Sequence, residues 1–199
     1  MVGTIAPLVQ GRKKLWLTTA SVFAVLSTAS GGMVGLAIGS LRLWLLPSAG
    51  LNNRAMVAVL VGFSLLAAGI DLGIVSVPIP TLHRSVPQRW WMLYPSVLAS
   101  AAYGSVLGIG LTTVIPIAGF HLVLLISVIG GTPVGLFVGG AYGFGRSVAI
   151  VLASLGIGLG ANPAALGRWL ISQMPTTRII SGLACAAFGL SLLSAIALG

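Results

Sequence analysis

Apolar residues along this chain come in long, nearly unbroken runs. They show neither the alternation of a half-buried strand nor the single stripe of a surface helix. The first run extends from Leu15 to Leu46 and is interrupted only by Arg42. One helix over it is longer than a hydrocarbon core of about 30 Å requires. Trp16 and Trp44 bracket the run as interface anchors do. It reads as one long or tilted span over 15–41, loosened at Gly31-Gly32, with a broken hairpin as the alternative. A secretory signal has an apolar region of only about 7–15 residues. This run is longer and shows no small-residue cleavage site before polar sequence, so it is expected to be a retained span.

Pro47 through Asn53 is a turn, and a second span follows from Arg54 to Ser76. The longest polar connection, Val77 to Met92, carries Pro78, Pro80, His83, Arg84, Pro87, Arg89 and the Trp90-Trp91 pair. Further apolar pieces lie at 93–113, 117–131, 134–160 and 178–198. The piece 117–131 is short for a span and ends at Gly130-Gly131-Thr132-Pro133; Asn162-Pro163 ends the next. Ala164 to Thr177 is semi-polar and suits an interfacial helix. The pattern predicts an all-α, polytopic helical membrane protein with about six transmembrane helices in two three-helix halves: 15–76, a central loop 77–92, and 93–198.

Composition supports this. Only 6% of residues are charged and 57% are hydrophobic, against about 25% charged in soluble domains. Too few polar groups exist to cover a water-facing surface, and a lipid bilayer removes the need. Glycine, at 28 residues, suits close helix packing in lipid. Gly35/Gly39, Gly104/Gly108 and Gly131/Gly135/Gly139 recur at a spacing that puts them on one helix face. Such faces serve internal packing, or docking of a second copy or another membrane protein. The stretch Gly31–Gly39 also echoes Gly130–Gly139 with one insertion, by duplication or by chance in a Gly/Val/Leu-rich chain.

Ten Lys and Arg face a single acid, Asp71. The basic residues are scattered, apart from Arg12-Lys13-Lys14, with no stacking platform among them, so no nucleic acid is expected. They read as topogenic charge at span ends. Arg12, Lys13, Lys14, Arg84 and Arg89 fall on one side, and Arg42, Arg54, Arg168 and Arg178 on the other. That bias and the N-terminal cluster predict a multi-pass protein of the cell membrane with its N-terminus in the cytoplasm.

With no Glu and one Asp, carboxylate pairs, Ser-His-Asp triads and carboxylate metal clusters have too few members, so no enzyme, metal or cofactor is expected. No phosphate-binding Gly-rich loop with its Lys is present. The candidate intramembrane polar site is Asp71, Arg146, His121, Thr112, Thr113 and Pro116. A charge at bilayer depth costs about 2.5–3.5 kcal/mol and normally finds a partner. Arg146 is therefore expected either to pair with Asp71 or, like it, to sit at a helix end in headgroup water. His121 is a hydrogen-bonded structural residue or a proton carrier. Pro116 breaks a helix beside Thr112 and Thr113, freeing carbonyls that only protein or a water-filled cavity satisfies. Cys185, the single cysteine, is a small apolar residue or a thiol carrier.

The stretch Leu107–Pro116, the apolar helix after it, Gly130-Gly131 and Gly140-Ala141-Tyr142-Gly143-Phe144-Gly145-Arg146 together resemble the second half of the CcdA/DsbD-type transmembrane family of cytochrome c biogenesis. The likeness covers about 50 of the 199 residues. Val114 stands where that family's motif has cysteine, and the first half has no matching cysteine either. The resemblance implies a six-helix bundle of two halves broken near Pro116, on a LysE-like scaffold, without thiol–disulfide chemistry. Three functions follow as expectations: a non-redox transporter or exporter of a small solute, an accessory subunit of a larger membrane complex, or a thiol carrier through Cys185.

Overall fold

The computed structural model describes residues 13–45, 54–77, 93–110 and 117–198, of which 90% are helical and none lies in a strand. Among the described residues six helices follow in order: α1 Lys13–Leu45, α2 Arg54–Asp71, α3 Ser96–Ile109, α4 Gly119–Gly158, α5 Pro163–Ser172 and α6 Met174–Leu198. Four stretches are long and apolar enough to cross a membrane: Lys14–Trp44, Arg54–Asp71, Gly119–Gly158 and Ala164–Ala197. α3 has 14 residues and reaches only about 21 Å. The described residues thus hold four spanning stretches and one shorter apolar helix, and the count of six spans is not reached among them. Most of the central loop and the Thr112–Pro116 break lie outside the described residues.

Helix boundaries follow local chemistry. α1 contains no proline and runs unbroken through Gly31-Gly32, so neither the loosening nor the hairpin forms. α4 is two helices meeting at Gly131, whose φ of 78° and ψ of −171° are non-helical. This places a break where Gly130-Gly131-Thr132-Pro133 predicted one: glycine tolerates the positive φ, and Pro133 cannot donate into the preceding turn. At the start of α5, the Asn162 Oδ1 accepts the amide of Ala164 at 2.9 Å with Pro163 first in the helix. That is a favoured opening for a helix.

The chain forms two compact units. Unit one draws on the described residues within Met1–Val34, Leu82–Val114 and Gly139–Ser172; unit two draws on those within Gly35–Thr81, Ile115–Val138 and Gln173–Gly199. These are not the successive halves expected from the loop 77–92. Each unit takes one part of α1 and one part of α4.

In unit one, Phe23, Tyr103 and Leu107 form the core, with Val106, Ile150 and Val151 against them. A side chain on Gly104 would meet the Phe23 carbonyl at 2.6 Å, and one on Gly31 would collide with the Gly139 carbonyl. The Ser27 hydroxyl donates to the Gly143 carbonyl at 2.9 Å. In unit two, Met56, Leu60, Ala67, Ala68, Leu122, Ile129 and Cys185 are among the core residues. α2 packs on α6, where the Ser64 hydroxyl donates to the Cys185 carbonyl at 2.5 Å. Gly135 abuts the backbone of Gly35, and a side chain on Gly39 would lie 2.6 Å from the Gly131 carbonyl. Within each unit α1 and α4 therefore run antiparallel in backbone contact: Ser27 opposite Gly143 and Gly31 opposite Gly139 in the first, Gly35 opposite Gly135 and Gly39 opposite Gly131 in the second.

Among the described residues, the largest fully buried side chains are Phe23 and seven small hydroxyl residues, among them Ser27, Ser64, Ser127 and Ser147. Large apolar residues point outward instead: Trp44 is 85% exposed and Phe137 77%. Small residues inside and large apolar ones outside is the arrangement lipid favours, because burial of apolar surface gives no advantage there and close backbone approach does.

Alanine at Gly135 puts a methyl against immovable backbone and should cost more than about 1–3 kcal/mol, the usual range for overpacking. Gly62 and Gly145 have open space where a Cβ would stand. Alanine at either should be neutral or stabilising by up to about 1 kcal/mol through helix propensity. Denaturant unfolding of the three variants in mixed micelles checks the contrast.

Candidate functional site

Two polar features stand out in unit two. The first centres on Asp71, the sole acidic residue, which is 3% exposed. Asp71 is the last residue of α2, and the helix closes just beyond it. Gly73, at a φ of 77°, donates to the Ile70 carbonyl at 3.1 Å, and Ile74 donates to Gly69 at 2.8 Å. This is a Schellman closure, which needs the left-handed glycine. A carboxylate at the end of its own helix faces the negative pole of that helix. Asp71 is held by the opposite pole of another. The amides of Ala118 and Gly119, at the start of α4, donate to Oδ1 at 2.7 Å and to Oδ2 at 3.1 Å. These are donors with no partner inside their helix. The Ser181 hydroxyl of α6 donates to Oδ2 at 2.7 Å.

Asp71 is thus an N-terminal cap supplied from a different helix, and it ties α2, α4 and α6 together. Gly119 permits the approach, since a Cβ there would lie 2.5 Å from the Ser181 oxygen and 3.2 Å from the Cys185 sulfur. Arg178 donates from Nη2 to the Ile70 carbonyl at 3.3 Å, putting a cation at the negative end of α2. Its Nε is buried without a hydrogen bond.

The second feature is a cavity of about 410 Å³ where the last turn of α1 meets the kink of α4. Gly39, Arg42, Gly130, Gly131, Thr132 and Pro133 line it. A Cβ on Gly131 would stand 3.3 Å from the Arg42 Cδ and Nη1, so the arginine lies along the broken backbone.

Arg146 belongs to unit one. Its Nη1 donates to the Tyr142 hydroxyl at 2.9 Å and to the Leu107 carbonyl at 3.4 Å, and its guanidinium lies 5.5 Å from the Tyr142 ring centre. Leu107 sits in the last turn of α3. Arg146 therefore does for α3 what Arg178 does for α2. Of the expected Asp71–Arg146 pair, Arg146 falls in unit one and Asp71 in unit two, where the carboxylate is bonded to Ala118, Gly119 and Ser181. α2 ends at Asp71, and its carboxylate is buried within the protein. His121 stands half-buried in the first turn of α4, edge-on to Phe120 with ring centres 5.9 Å apart. Cys185 is 6% exposed, in the core of unit two. Thr112, Thr113 and Pro116 lie outside the described residues.

Sequence reasoning passed over Ser181 and the cavity, and read Arg178 only as charge at a span end. A signal for the cavity was present, since Arg42 is the only charge in the first apolar run and Gly130-Gly131-Thr132-Pro133 marks a break. Nothing in the sequence brings those two segments together. No family model, curated protein or solved structure matches the chain.

Replacing Asp71 by alanine leaves two amides and a hydroxyl unanswered, at about 1–3 kcal/mol for each buried group. Ser181→Ala removes one bond and should cost clearly less, which thermal unfolding in detergent will separate. The double exchange Asp71→Arg with Arg146→Asp should give no more folded protein by size exclusion than the poorer single variant. Recovery would mean the two charges meet.

Proposed function

We propose that this chain is a multi-pass membrane protein that moves a small solute without redox chemistry, with the cavity at the α4 kink as the solute site. The single observation that carries this reading is the Gly131 break lining a cavity of about 410 Å³. Irregular backbone within a spanning helix is tolerated where protein or a water-lined cavity satisfies it. Interrupted helices beside binding sites are a recurrent transporter device. The volume lies toward the lower end of the about 300–1,000 Å³ that small-molecule sites occupy, so the solute is small.

The exporter-like scaffold implied by the resemblance in the second half agrees with this. The reading as a docking subunit draws less support. Gly35, Gly39, Gly104, Gly108, Gly131, Gly135 and Gly139, the faces that suggested docking, all abut other parts of their own unit or line its cavity.

The test is solute entry into vesicles carrying the full chain, followed by light scattering with zwitterionic amino acids, monocarboxylates and quaternary ammonium ions. One class should equilibrate faster than in protein-free vesicles. Gly131→Ala should slow it, because a Cβ at positive φ costs about 1–2 kcal/mol and presses on Arg42. If no class enters faster than into empty vesicles, the transport reading fails.

A further inference from the structure

We propose that α5 lies flat in the headgroup layer of the bilayer, with Leu166, Trp169 and Leu170 turned to the acyl chains and Arg168 to lipid phosphate. α5 is a helix in its own right, closed off from α4. Gly160, at a φ of 99°, donates to the Ile157 carbonyl at 3.0 Å, and Ala161 donates to the Gly156 carbonyl at 3.0 Å. That pair of bonds ends a helix at a left-handed glycine. Asn162 then opens α5 through the amide of Ala164.

Length sets α5 apart from a crossing. The apolar stretch Ala164–Ala197 has 34 residues, of which α6 alone supplies most. With 25 residues, α6 reaches about 38 Å, already more than a hydrocarbon core of about 30 Å. The 10 residues of α5 are surplus to that crossing. They stand in the chain between α4 and α6, two helices long enough to span, and so fall at a membrane surface.

α5 is also the most amphipathic of the six described helices. Positions 166, 169 and 170 are spaced three and four apart and share one face. Arg168 and Ser172, four apart, share another. Unit one leaves α5 largely uncovered: between Ala164 and Ser172 only Leu166 and Gly167 are partly covered. Trp169 is 57% exposed, and Leu170 and Ile171 are exposed with it. Arg168 is exposed on the other face. A protein partner would need to answer only the apolar side. The bilayer interface answers both at once, with acyl chains below and phosphate above. Tryptophan belongs at that depth, and a guanidinium pairs with phosphate oxygens. Helices of this kind embed about 5–10 Å. This placement does not depend on the solute reading.

The experiment uses the full chain in nanodiscs of phosphatidylcholine, on a Cys185→Ala background. Each residue from Ala164 to Ser172 is replaced in turn by cysteine and carries a nitroxide. Collision with oxygen, which concentrates in hydrocarbon, is compared with collision with a water-soluble nickel chelate. The oxygen-to-nickel ratio should oscillate with the helical period, with no net trend along α5. It should be about fivefold higher at 166, 169 and 170 than at 168 and 172, as a helix seated at that depth requires. With the label at 170, Arg168→Glu should lower the ratio, and more so when the discs contain phosphatidylglycerol. A ratio that climbs or falls steadily from 164 to 172 means that α5 crosses the bilayer, and overturns the proposal. So does high nickel access at every position, which means water, or low access of both reagents at 166, 169 and 170, which means a protein cover. Several positions share each face, so one labelled variant that fails to fold does not remove the test. An Arg168→Glu variant indistinguishable from its parent in both kinds of disc overturns the phosphate contact.

Discussion

A helix end inside a bilayer has no water to satisfy it, and that constraint accounts for the charged residues placed within this protein's apolar sequence. Three helix ends described here are answered by acidic or basic side chains. Asp71 receives the free amides at the start of α4. Arg178 and Arg146 donate to carbonyls in the last turns of α2 and α3. Each charge meets the pole of opposite sign. Read this way, the buried charges belong with the backbone, and their cost at depth is offset by the cost of leaving several amides and carbonyls unbonded.

The same economy of space governs packing. Helices in lipid gain little from burying more hydrocarbon, so contact depends on how closely two backbones can approach. Glycine and serine occupy the interior of both units, and aromatic and long aliphatic side chains face out. One glycine has a second role. Gly131 both lies against α1 and takes the conformation that interrupts α4, so a close helix contact and the one cavity discussed here share a residue.

Much of the architecture was legible in the sequence. Run length and sparse charge announce apolar helices, and Gly-Gly-Thr-Pro at 130–133 announces a break, because those residues act on their own backbone. The partners of Asp71 were not legible. Ala118 is 47 positions away and Ser181 is 110, and no local pattern encodes such contacts. The Asp71–Arg146 expectation assumed that a buried cation needs an anion. Arg146 instead uses a tyrosine one turn back on its own helix and a neutral carbonyl, which serves because carbonyls at a helix end carry a net partial charge. The grouping into units was not legible either. α1 and α4 each contribute to both units, whereas the polar loop at 77–92 suggested that units would follow one another along the chain.

That interleaving bears on how the protein is made. All of the chain belonging to unit one has been synthesised once Ser172 is reached, whereas unit two needs α6 as well. Until Ser181 emerges, α2 holds a carboxylate lacking one of its three donors, and the Ser64 hydroxyl waits for a carbonyl 121 positions downstream. A nascent chain stalled between those points carries an incompletely satisfied acid among apolar residues.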